Sequence, residues 1–120
     1  MAEKSLLIIC RRAPYGSHLA RAGYDLALAT AAFDQAVSLL FMDDGVWQLL
    51  PDQQPEAIAA KSIARTLDSL PLYDIDTLFV EQASLAQRGL TGAELRDGVE
   101  VLDDAQTTAL IGRFDQVVSF

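Results

Sequence analysis

Apolar and polar positions along this chain change period several times, and each change marks an element. Leu6-Leu7-Ile8-Ile9-Cys10 is a continuous apolar run closed by Arg11-Arg12. Continuous rather than alternating apolarity predicts a strand covered on both faces, as in a parallel sheet. Pro14 and Gly16 then break the chain into a loop. From 17 or 18 to 33 the spacing turns helical. Leu19, Ala22, Leu26, Ala29 and Phe33 share one face, and Ala20, Gly23, Ala27 and Ala31 form a second stripe of small residues. Small residues let another backbone come close, so this helix is expected to touch both a sheet and a neighbour. Ser17 is a suitable N-cap. A second buried strand is expected over 36–42. Asp43-Asp44-Gly45 turns the chain off it, and Val46, Trp47, Leu49 and Leu50 follow as four apolar residues in five positions.

Pro51 and Pro55 interrupt the chain, and Pro55 stands at the head of a helix expected over 56–69. Its apolar face is Ala59, Ile63, Leu67 and Leu70. A third strand is predicted over 77–80 and a short helix over 82–88, with Gly89 where a helix C-terminus favours glycine. A fourth strand spans 99–102. Asp103 and Gln106 carry the reciprocal capping pattern of a helix running to about residue 113. A fifth strand covers 117–120. Strands alternating with helices predict an α/β protein, one domain over 1–120, with a five-stranded, mainly parallel sheet and helices on both faces. Ligands of such sheets bind beyond the carboxyl ends of the strands. Here those ends carry Arg11-Arg12, Asp43-Asp44, Glu81-Gln82 and Asp103-Asp104.

Composition changes this picture in two ways. The 120 residues are 51% hydrophobic but only 8% aromatic, so Ala, Leu, Val and Ile make up the bulk. Mean hydropathy is +0.20, high for a chain in which no run approaches the ~20 residues that span a bilayer. The surplus points to extra buried surface at subunit contacts and to no membrane partner. Charge is the second constraint. Nine basic against seventeen acidic residues give a net charge of −8. That argues against direct binding of a nucleic-acid backbone, which needs clustered Lys and Arg. The N-terminus lacks the basic region and cleavage site of a signal peptide, and a single Cys forms no internal disulfide, so the expected compartment is the cytoplasm.

Candidate chemistry is sparse, because the chain has one His and one Cys. Cys10 ends an apolar strand, where packing is the ordinary role, although two arginines follow it. Arg11, Arg12, Tyr15 and Ser17 form a loop at the head of a helix, fit to hold an anion or a partner. It matches neither dinucleotide nor Walker glycine patterns, and two solvated arginines are the plainer reading. His18 has no catalytic partner at an obvious spacing. Asp43, Asp44 and Glu81 read as turn and capping residues rather than metal ligands, and no cofactor is implied. Val46, Trp47 and Leu50 in the apolar turn, with Phe120, are the candidate interface residues, since tryptophan is enriched at interface centres.

Several short segments resemble one family. They are Ala13-Pro14-Tyr15-Gly16-Ser17, Asp44-Gly45-Val46-Trp47-Gln48-Leu49-Leu50, Leu72-Tyr73-Asp74-Ile75, Ala83-Ser84-Leu85 with Arg88-Gly89-Leu90, and a closing aromatic after a short strand. In this order and spacing the chain resembles the TusC/DsrF family of sulfur-relay subunits, within the DsrE/F-like group. The resemblance implies a flavodoxin-like three-layer α/β/α sandwich. It implies TusB-like and TusD-like partners in a heterohexamer that takes persulfide sulfur from TusA and passes it to TusE. That sulfur serves 2-thiolation of the tRNA wobble uridine, while the related DsrEFH complex serves sulfur oxidation. In the family the acceptor Cys belongs to the TusD/DsrE subunit, after a strand and ahead of a short helix ending in Arg-Gly. The matching place here is about Glu81, which is no thiol, so no catalytic residue carries over. The expectation is a non-carrier subunit without activity of its own. The alternatives are a thiol carrier using Cys10, a DsrF-like subunit in sulfur oxidation, or a small anion- or nucleotide-binding module.

Overall fold

A computed structural model describes residues 5–12, 19–33, 35–50, 66–73, 75, 77–92, 95 and 98–120. Five strands, β1 (Leu6–Cys10), β2 (Val37–Phe41), β3 (Leu78–Glu81), β4 (Val99–Leu102) and β5 (Gln116–Ser119), form one sheet in the order β4-β3-β2-β1-β5. Every pairing is parallel. The helices are α1 (Leu19–Ala31), α2 (Gln82–Gln87) and α3 (Asp104–Gly112). Two 3-10 segments join them, Asp43–Leu49 and Leu70–Tyr73, the latter continuing a helical turn over 66–69. The expected layers are present. The strand order differs from the 2-1-3-4-5 of flavodoxin itself, so the likeness lies in layers rather than in order. The first part of the helix expected over 56–69 lies outside the described residues, as do Ser17 and His18.

β1 sits between β2 and β5, and all five of its residues are buried. That is what its unbroken apolar run demands. Alternate residues feed two unequal cores. Leu6, Ile8 and Cys10 face the larger one, with Leu39, Phe41, Val80, Tyr24 and Ala27. Leu7 and Ile9 face the smaller one, with Leu40, Leu102 and Leu110. α1, the 66–73 segment and α2 serve the larger core, and α3 serves the smaller.

On α1 the small-residue stripe turns out to be the inner face. Gly23 and Ala27 are buried, while Ala29 and Phe33 of the bulkier face are exposed, Phe33 to 79%. The reason is distance. A Cβ added at Gly23 would meet Ile8 and Phe120 at 3.6 and 3.5 Å, so the helix lies close on the sheet.

Local signals set the remaining ends. Asp103 accepts from the Gln106 N–H at 2.8 Å, and the Gln106 side chain accepts from the Asp103 N–H at 2.9 Å, closing the capping box of α3. α2 ends with Gly89 at φ +68, its N–H on the Ala86 carbonyl and the Leu90 N–H on the Leu85 carbonyl, a Schellman pattern.

Gly45 is required by space. A Cβ there would lie 1.9 Å from the Cys10 carbonyl oxygen and 2.7 Å from its carbon. Gly45→Ala is therefore expected to cost about 3 kcal/mol or more in denaturant unfolding, since the clash is with backbone that cannot rotate away. A change under about 0.5 kcal/mol would show that the segment shifts freely. Thr107 is buried and its hydroxyl meets no hydrogen-bond partner among the described residues. Thr107→Val is expected to leave stability unchanged or raise it by about 1 kcal/mol, because an unpaired buried hydroxyl costs free energy and the shape is kept.

Candidate functional site

The carboxyl ends of β1, β2 and β3 carry polar residues that sequence reasoning singled out, and the Asp43–Leu49 segment organises them. Seven residues is long for a 3-10 helix, so tertiary contacts must hold it. It starts at Asp43, which has φ 50, a left-handed conformation tolerated best by Gly, Asn and Asp. The Asp43 N–H donates to Ser84 Oγ at 2.9 Å, and Ser84 Oγ donates to Glu81 Oε1 at 2.5 Å. The two acids of the turn each meet an arginine. Arg11 Nε lies 3.7 Å from Asp43 Oδ2, and Arg88 Nε donates to Asp44 Oδ1 at 3.1 Å. Asp43 and Asp44 thus serve turn and pairing roles, and Glu81, at the N-cap position of α2, makes no side-chain cap hydrogen bond but accepts from the Ser84 hydroxyl.

Inside this segment Val46 is fully buried in the larger core. Its expected place at an interface is corrected: the 3-10 turn points it inward beside Leu49. Trp47 and Leu50 are half-buried. Phe120 is half-buried too, packed on the larger core over Gly23 and Ile8. Tyr15 and Ser17 lie outside the described residues. Arg11 and Arg12 are exposed.

Two residues missed in the sequence hold this corner. Tyr24 and Gln48 are fully buried, 0% and 1% exposed. The Tyr24 hydroxyl donates to Gln48 Oε1, and Gln48 Nε2 donates to the Arg12 carbonyl at 2.6 Å. Each buried polar atom thereby gains a partner. The available signal was a lone amide inside the apolar run Val46-Trp47-Gln48-Leu49-Leu50, where a polar residue needs a reason.

Cys10 is buried beneath this corner, and burial pushes its thiol from an ordinary 9.0 up to about 12. The nucleophilic form is the thiolate, so Cys10 is not poised to accept sulfur. The two arginines that follow it turn outward to solvent. Three pH units correspond to roughly a thousandfold less thiolate at neutral pH, so native chain is expected to react with a small thiol reagent roughly a thousandfold more slowly than unfolded chain. Because the native value is the higher one, the unfolded chain releases its proton first as pH rises. Stability from this group is complete below pH 9.0 and is lost on the way to about 12. Cys10→Ala is expected to remove that alkaline component from a stability–pH curve. Fast labelling of folded protein at pH 7 would overturn this view of the thiol.

A model of the DsrE/DsrF-like family matches residues 4–120 of the chain. The chain is 44% identical over 117 residues to a "Protein TusC homolog" of Pseudomonas aeruginosa, covering 98% of each. It is 41% identical over 115 residues to a "Protein TusC homolog" of Vibrio vulnificus, covering 96% of this chain and 98% of that one. Among solved structures, the ychN protein from E. coli superposes with a TM-score of 0.82 at 25% identity, over 98% of this chain and 99% of that one.

Proposed function

This chain belongs to the DsrE/DsrF-like family, and from that premise we propose that it is a non-carrier subunit of a cytoplasmic, TusBCD-like sulfurtransferase complex. Residues 1–120 act as one domain in this reading. TusB-like and TusD-like chains are its partners in a heterohexamer. The complex passes persulfide sulfur from a TusA-like donor to a TusE-like acceptor for 2-thiolation of the tRNA wobble uridine. The chain contributes assembly and the shape of a neighbour's site, not a reacting atom.

The observation that carries this reading is the burial of Cys10, the one cysteine in the sequence. A chain whose thiol is sealed in the core has no sulfur atom with which to relay a persulfide. The end of β3 agrees, because Glu81 stands there with its carboxylate engaged by Ser84. Surface apolarity supports assembly. Leu72 is 84% exposed, Phe33 79% and Tyr73 44%. Phe33 follows α1, and α1 packs against the segment carrying Leu72 and Tyr73. All three lie on connections that lead into the amino ends of strands, and exposed apolar side chains there are what a protein contact would cover.

Size-exclusion chromatography with light scattering tests the reading, on this chain alone and co-expressed with TusB-like and TusD-like neighbours. A stable mixed complex is expected. Leu72→Glu combined with Phe33→Glu is expected to weaken it at least about tenfold while circular dichroism stays unchanged, since charges would be buried at the contact. A monomer indifferent to both neighbours would sink the assignment.

A further inference from the structure

A crevice of about 550 Å³ opens at the carboxyl ends of β1, β2 and β5, lined by Arg11, Arg12, Asp43, Ser119 and Phe120. This is where parallel α/β sheets place ligands. Two guanidinium groups line this crevice together with the Asp43 carboxylate and the chain end at Phe120, in a protein of net charge −8. The Arg11–Asp43 pair is long, at 3.7 Å, and half-exposed on both sides, so it neutralises Arg11 weakly. Among the described residues nothing pairs with the Arg12 guanidinium.

The backbone under these cations is held firmly. The Arg11 N–H donates to the Phe120 carbonyl at 2.9 Å. The Cys10 carbonyl accepts from the Met42 N–H at 3.1 Å. The Arg12 carbonyl accepts from Gln48, itself held by Tyr24. Two solvated surface arginines have no need of a buried amide and a buried phenol beneath them, because burying polar groups costs free energy that pairing only offsets. Fixing the main chain removes the ordering cost that a ligand would otherwise meet.

We propose that this crevice binds a small oxyanion of the phosphate or sulfate class. Arg12 and Arg11 grip it, the Ser119 hydroxyl is a further donor, and Gln48 positions Arg12. Guanidinium forks match the oxygens of such anions. The overall charge selects for small size. A polyanion extends beyond the ~8 Å over which salt screens and meets the acidic surface, whereas a small anion senses the local arginines. This inference stands apart from the sulfur-relay reading, and either can fail alone.

The test titrates inorganic phosphate and sulfate into the full chain, with chloride at matched ionic strength as control, following thermal unfolding and amide NMR shifts. A saturable rise in Tm with phosphate or sulfate is expected, with shifts confined to the crevice. Arg12→Ala is expected to weaken binding at least about tenfold, from the loss of charge-assisted hydrogen bonds. Asp43→Asn, which keeps a residue suited to the left-handed turn, is expected to tighten binding several-fold by removing the competing carboxylate. Gln48→Leu is expected to weaken binding several-fold with both arginines present. Should it not fold, Ser119→Ala, at an exposed position, supplies a second loss of several-fold. No saturable response up to about 50 mM anion, or an equal response in Arg12→Ala, would overturn the proposal. So would binding of an acidic peptide in place of either inorganic anion, which would reassign the crevice to a protein partner.

Discussion

The carboxyl end of this sheet depends on one backbone contact, the seating of Gly45 on the carbonyl of Cys10. Because no side chain intervenes, the 3-10 segment lies directly on the end of β1. That closeness aims Val46 and Leu49 into the core and brings Gln48 under the loop that leaves β1. A segment held half a side chain farther out would leave the Gln48 amide short of the Arg12 carbonyl. The buried tyrosine on α1 would then lose its partner as well. One missing Cβ therefore couples strand, helix and loop at the place where this class of fold usually acts.

Polar atoms in this region follow a consistent rule. Around the Asp43–Leu49 segment the buried ones are paired, and the charged ones stay at the rim. Tyr24 and Gln48 satisfy one another and a carbonyl, and Ser84 serves the turn and Glu81 at once. Such networks add little net stability per bond but penalise every alternative arrangement, since each leaves a donor or acceptor without water. The left-handed Asp43 fits this account, because its N–H is held by Ser84 in a conformation that most residues resist. Arg11 remains half in water and Arg12 is exposed, where their charge is least costly to keep.

The strands were legible because burial on both faces requires unbroken apolar runs. β1 and β4 lie where Leu6–Cys10 and Val99–Leu102 place them, and the ends of α2 and α3 follow from Gly89 and from Asp103 with Gln106. The inner face of α1 was harder to read. Periodicity identifies both stripes, but only the separation of helix and sheet decides that the small one packs inward. Strand order left no trace in the pattern, since each parallel crossover reads alike wherever it lands. At the site, the arginines and acids were visible as charges at strand ends. The Tyr24–Gln48 pair was not, because its two members lie 24 residues apart and only the fold brings them together. Val46 misled for a related reason: an apolar residue in a turn looks available to a partner until the turn is seen to fold inward.

The inequality of the two cores has a further consequence. β4 and β5 are the opposite edges of the sheet, and the chain between them crosses the thinner face as α3, with Leu110 set among Leu7, Ile9, Leu40 and Leu102. α3 is thus a strap joined at both rims, while α1 and its companions hold the thicker face independently. In terms of sub-global opening, the strap layer has, among the described residues, fewer buried side chains to uncover than the face beneath α1, and so is expected to open first. Its release would loosen both rims in one event. Conversely, a partner that pressed on one rim would raise the cost of freeing the other, through the helix that joins them.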